Sequence, residues 1–156
     1  MIVEEGRSPQ AIETIRRLFR EYQIALGVDL CFRDFEEELA TLPGAYAPPR
    51  GTLLLAMNEG EAIGCVGVRP FDTGRCEMKR LYVRPAGRGR GLGRQLTERA
   101  IAFARAADHK EMLLDTLPQM AEAGRLYAAL GFADCAAYYE NPLPGTRYMR
   151  LALSEA

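Results

Sequence analysis

The chain has 156 residues, 48% of them hydrophobic, and a formal net charge of −1. A domain of that length buries roughly two thirds of its unfolded surface, so one core suffices and residues 1–156 read as a single domain. No apolar run approaches the ~18 residues of a membrane span, and Met1–Gly6 lacks a basic segment leading into an apolar one, so neither membrane nor export is expected and the expected compartment is the cytoplasm.

A short strand is predicted at Ile2–Glu4, then a helix over Pro9–Ala25 with Ile12, Ile15, Leu18, Phe19, Tyr22 and Leu26 on one stripe and Gly27 closing it. Phe32–Leu42 reads as a second helix, with Phe35 and Leu39 inward and Glu36, Glu37 and Glu38 as a solvated acidic face. Prolines and glycine at Pro43-Gly44 and Pro48-Pro49 break the pattern. Two β-prone runs, Thr52–Met57 and Ala62–Arg69, flank the turn Asn58–Glu61 and should pair antiparallel. A third strand runs from Cys76 to Val83, after the turn at Asp72–Gly74. From Leu92 to Ala107 the apolar positions Leu92, Leu96, Ala100, Phe103 and Ala107 recur at helical spacing. A brief strand, Glu111–Leu117, leads into a helix that has Pro118 in its first turn and ends at Gly131. Strand, helix, strand, helix in that order requires a parallel pair. Phe132–Tyr139 and Thr146–Leu153 read as a closing antiparallel pair.

Between residues 75 and 94 stand seven basic residues (Arg75, Lys79, Arg80, Arg84, Arg88, Arg90, Arg94) and one acid, Glu77. A glycine- and arginine-rich loop joins a strand to a helix there, so backbone N–H groups and positive charge converge as in an anion site. A phosphate loop of the Walker type needs Lys-Ser or Lys-Thr after its last glycine, but Arg94-Gln95 follows Gly93. The glycines at 87, 89, 91 and 93 recur every second residue, which does not fit the dinucleotide fingerprint G-x-G-x-x-G. A solvated turn is the plain alternative.

Arg88-x-x-Gly91-x-Gly93 resembles the pyrophosphate loop of the GNAT superfamily of acetyl-CoA-dependent N-acyltransferases, and Ala123-x-x-Leu126-Tyr127-x-x-x-Gly131-Phe132 is similar to that family's second signature. The resemblance covers Cys76–Phe132. It implies an α+β fold: a mixed, mostly antiparallel sheet with helices on both faces and a splayed parallel pair whose strands end near Val83 and Leu117. It further implies acetyl-CoA as acyl donor. The pyrophosphate would lie on N–H groups of Arg88, Gly89, Arg90, Gly91, Leu92 and Gly93, with Arg94 adding charge. The arm would lie along Leu81, Tyr82 and Val83, with a carbonyl-directed N–H near Val83. Tyr127 matches the family's general acid, a phenol of reference pKa ~10 facing a thiol of ~8.5. Its other reading is core packing beside Ala123 and Leu130.

An alkylamine, of reference pKa ~10.4, must lose a proton before attack. Glu77 is the candidate base; alternation puts it on the face of Lys79 and Leu81 unless a bulge intervenes, and pairing with a neighbouring cation is the alternative. One departure from the family stands out: Met120 occupies the position where many members carry an asparagine that contacts the cofactor arm. The acceptor amine would be shaped by Gly27–Phe32 and Tyr138–Gly145, where Asp29, Phe32, Tyr138, Tyr139, Glu140 and Asn141 form an aromatic, mildly acidic set.

Other chemistries have little material. The four cysteines, at 31, 65, 76 and 135, lack C-x-x-C spacing and read as free, mostly buried thiols, and no metal is expected. Ser8 and Ser154 near the termini and the lone His109 argue against a serine hydrolase. His109 reads as a surface residue closing the third helix beside Lys110. No nucleic-acid surface is expected, because the basic cluster is local. Two functions remain: an N-acetyltransferase acting on an amine of a small molecule or peptide, and an idle acyl-CoA-binding sensor or assembly module; either leaves room for a homodimer.

Overall fold

The computed structural model describes residues 2–27, 34–141 and 143–153. Seven strands form one sheet: β1 (Ile2–Glu5), β2 (Thr52–Asn58), β3 (Glu61–Pro70), β4 (Arg75–Val83), β5 (Glu111–Thr116), β6 (Ala133–Asp134) and β7 (Arg147–Ala152), in the spatial order β1-β2-β3-β4-β5-β7-β6. Among the described residues only β4 and β5 run parallel. The α+β mixed sheet expected from the sequence is therefore present.

Among the described residues four α-helices cover the sheet: α1 (Pro9–Leu26), α2 (Phe35–Ala40), α3 (Leu92–Ala106) and α4 (Ala121–Ala129). The boundaries of α1 have local causes. The Ser8 hydroxyl accepts from the Ala11 N–H at 3.1 Å, Pro9 occupies the first turn, and Gly27 ends α1 in the left-handed region at φ 73°. Alternation along the strands then divides the core. Leu53 and Leu55 of β2 pack with Ile15, Leu18 and Phe19 of α1 and with Phe35 of α2. On the opposite face Leu54 and Ala56 join Met78 of β4, Leu96 of α3, Met112 and Leu114 of β5, and Tyr127 of α4. None of the described helices is long and apolar enough to cross a membrane.

Three expectations change. The closing pair was expected to use Phe132–Tyr139, but β6 is only two residues long and β7 lies between it and β5. Past Asp134 the chain leaves the sheet edge, and Tyr138 and Tyr139 donate their hydroxyls to Glu77 and Asp115. Pro118 opens a 3-10 turn, Pro118–Met120, that precedes α4. Of the acidic run in α2, Glu36 and Glu37 are exposed, but Glu38 is directed inward and its side chain is 9% exposed. Phe32, and with it the start expected for the second helix, lies outside the described residues.

Candidate active site

The parallel strands β4 and β5 pair only at Arg75–Glu77 with Glu111–Leu113, although β4 continues to Val83 and β5 to Thr116. Beyond that point they separate. A second irregularity sharpens the opening. Between Cys65 and Gly67 of β3 the register to β4 shifts by one residue, and Arg80 has φ 62°, which marks a bulge in β4. Before it, Glu77 and Lys79 face α1 and α2; Arg80 reaches Glu38 on that same side, and Leu81 then packs with the α3 core. The bulge therefore removes Leu81 from the face shared by Glu77 and Lys79, against simple alternation.

At the mouth of the gap lies the glycine loop. Gly89 and Gly91 have φ 79° and 71°, and α3 begins at Leu92 with no acidic side chain in its first turn. Left-handed glycines just ahead of a helix start gather N–H donors where the helix dipole is positive. A cleft of about 520 Å³ runs from Arg88, Gly89 and Gly91 past Val83 and Leu81 to Met120. It adjoins an inner chamber containing Asp115, Thr116, Tyr127 and Tyr139, and Tyr22, Leu26, Leu81 and Met120 line both.

Tyr127 is 4% exposed, its ring 5.8 Å from that of Phe132. Burial, with smaller effects from Tyr22 and Asp115, raises its hydroxyl well above the ordinary phenol range, so it keeps its proton. Opposite it, the α1/α2 face of the sheet carries a chain of alternating charges. Arg80 holds Glu38 through two contacts of 3.1 and 3.2 Å; Arg69 lies 3.6 Å from Glu38 and 3.0 Å from Glu77. Lys79 lies 3.6 Å from Glu77 and 3.2 Å from Asp115.

Each carboxylate also accepts a tyrosine hydroxyl: Glu38 from Tyr46 at 3.1 Å, Glu77 from Tyr138 at 2.7 Å, and Asp115 from Tyr139. Burial alone would raise the carboxyls of Glu38 and Asp115, but the facing cations and donors bring both below the usual carboxylate range. Three acids thus meet three bases in this network, of which Lys79, Arg80 and Asp115 line the chamber.

The acetyltransferase (GNAT) family model matches residues 12–132. The chain belongs to the GNAT family of acetyltransferases. An uncharacterized N-acetyltransferase of Schizosaccharomyces pombe is 44% identical over 94% of this chain and 91% of its own length. In fold, an acetyltransferase from Streptococcus agalactiae superposes with a TM-score of 0.80 at 22% identity, covering 97% of this chain and 98% of that one. An acetyltransferase from Salmonella typhimurium, solved with its cofactor acetyl-CoA, gives 0.76 at 22% identity, covering 100% and 95%. Membership makes this chain an acetyl-CoA-dependent N-acetyltransferase.

Within this GNAT domain the expected cofactor residues are dispersed along one cleft. Leu81, Tyr82, Val83, Arg88, Gly89, Gly91, Leu92, Gly93 and Met120 line it, whereas Arg90 and Arg94 do not, and Arg94 pairs with Glu98 at 3.2 Å. The positive charge is also less concentrated than the sequence suggests. Arg75, Lys79, Arg80, Arg84 and Arg94 each meet a carboxylate, leaving Arg88 and Arg90 with no ion pair among the described residues. Glu77 is deeper than expected: its side chain is 2% exposed and enclosed by Arg69, Lys79 and Tyr138.

The sequence offers Tyr22 only as part of the apolar stripe of the first helix and does not single out Asp115 or Thr116. An acid ending the apolar run of β5 was the available signal for Asp115. His109 is 2% exposed, not on the surface. Its Nδ1 faces a guanidinium nitrogen of Arg50 at 3.0 Å, which can only donate, so Nε2–H donates to the Arg50 carbonyl at 2.9 Å. The ring pins the loop before β2 rather than capping α3. Among the described residues no group of three or more His, Cys, Asp or Glu side chains converges as a metal site would require.

Proposed function

We propose that this GNAT enzyme transfers the acetyl group of acetyl-CoA to a primary amine of a small molecule or peptide, by direct attack within a ternary complex. The observation that supports it is the cleft that runs from the glycine loop along Leu81–Val83, where β4 and β5 have parted, and adjoins the chamber lined by Tyr127. In this reading the N–H groups of Arg88–Gly93 hold the pyrophosphate, and main-chain groups of Leu81–Val83 hold the arm and face the thioester carbonyl. Tyr127 donates to the departing thiolate.

The amine enters on the other side of β4, by Asp115, Tyr139 and Asn141. Glu77, enclosed as it is, acts on the amine's proton only through Lys79 and Asp115 or through water. Asp115 is the carboxylate that lines the chamber. Because Lys79 and Arg80 line the chamber beside Asp115, an acceptor need not be strongly cationic.

Direct attack predicts initial rates that converge when either substrate is varied at several fixed levels of the other. It also predicts an intact mass unchanged after incubation with acetyl-CoA alone. A stable acetylated protein that passes its acetyl group to an added amine would contradict the ternary route.

A further inference from the structure

Among the described residues, one buried side-chain polar atom has no hydrogen-bond partner, the Oγ1 of Thr116. Thr116 is 4% exposed and ends β5, its backbone paired with Arg147 of β7. Alternation puts its side chain on the face of Met112 and Leu114, whose side chains pack with Tyr127. It lines the inner chamber together with Leu81, Met120 and Tyr127, where the arm of the cofactor would pass.

A buried hydroxyl without a partner destabilises the fold that contains it, so a native chain keeping one calls for an explanation. Met120 lines the same chamber. An asparagine at that position would offer an N–H donor and a carbonyl acceptor, whereas a thioether is only a weak acceptor. In the chamber wall Lys79, Arg80, Asp115, Tyr139 and Asn141 bond within the protein, and Tyr127 is the residue assigned above to the thiolate. The Thr116 hydroxyl can both donate and accept, so it can pair with either end of an amide.

We propose that Thr116 is a positioning residue whose hydroxyl hydrogen-bonds the amide-bearing arm of acetyl-CoA. This rests on the acetyl-CoA reading of the same cleft. Thr116→Val keeps the shape and β-branching of the side chain and removes only the hydroxyl. The variant should melt at a higher temperature than the wild type without ligand, because the unpaired group is gone. By calorimetry it should bind acetyl-CoA about 5- to 20-fold more weakly, the scale of one lost hydrogen bond. Adenosine 3′,5′-bisphosphate, which lacks the arm, should bind both proteins equally, and Thr116→Ser should restore acetyl-CoA affinity.

Unchanged acetyl-CoA affinity in Thr116→Val would overturn the assignment, as would an equal loss for both ligands, which would place the effect on the loop or the fold. A lower melting temperature would also overturn it, since the hydroxyl would then be stabilising the free protein. Failure of the wild type to bind acetyl-CoA is a separate result that removes the cofactor reading and this contact with it.

Discussion

Replacing Tyr127 by phenylalanine should lower turnover by roughly 10²-fold while changing acetyl-CoA affinity little. Phenylalanine retains the ring that packs against Phe132 and fits a site that is 4% exposed, so the substitution removes the hydroxyl and almost nothing else. Burial holds that hydroxyl in its protonated form, which suits a donor to a thiolate better than a base. A loss confined to turnover would identify an interaction made in the transition state. If turnover stays within about twofold and only the melting temperature moves, Tyr127 is a core residue and the thiolate is served by another donor.

The second large effect is expected at the loop. Gly91→Asp should weaken binding of acetyl-CoA by roughly 10²-fold, because a carboxylate near a phosphate some 4 Å away interacts unfavourably by about 4 kcal/mol before screening. Shape is not the reason. A Cβ at Gly91 would meet no atom within 4 Å, although its φ of 71° carries a strain that any side chain would feel. Gly91→Asn imposes nearly the same backbone cost without the charge, so the difference between the two variants reports the phosphate. Wild-type binding should also fall with added salt, since Arg88 and Arg90 are exposed and screening acts on them fully. Equal affinity in the Asp and Asn variants would place the phosphates elsewhere.

What was legible in advance is what depends on near neighbours in the chain. Ser8, Pro9 and Gly27 bound α1 through contacts within four residues, and the loop at 87–93 carries its glycines in one stretch. The site's polar interior depends on distant partners. Glu38 reads as part of a solvated acidic run, but Arg80 of β4 holds it; Glu77 reads either as a base or as the partner of a neighbouring cation, and Arg69, Lys79 and Tyr138 enclose it.

The bulge at Arg80 has no glycine to announce it, and it is what moves Leu81 to the other face. His109 misled for a related reason. A histidine beside Lys110 at a helix end suits the dipole, but Arg50, from a loop 59 residues earlier, supplies both of its partners.

The most direct test of the acetyltransferase assignment is release of free thiol from acetyl-CoA by the purified protein across a panel of acidic, neutral and cationic primary amines, with the acetylated amine identified by mass. The account predicts amine-dependent thiol release, with acetylated product equal to thiol released, for at least one member of the panel. Tight binding of acetyl-CoA with no amine-dependent release across a wide panel would contradict it and favour an acyl-CoA-binding module instead.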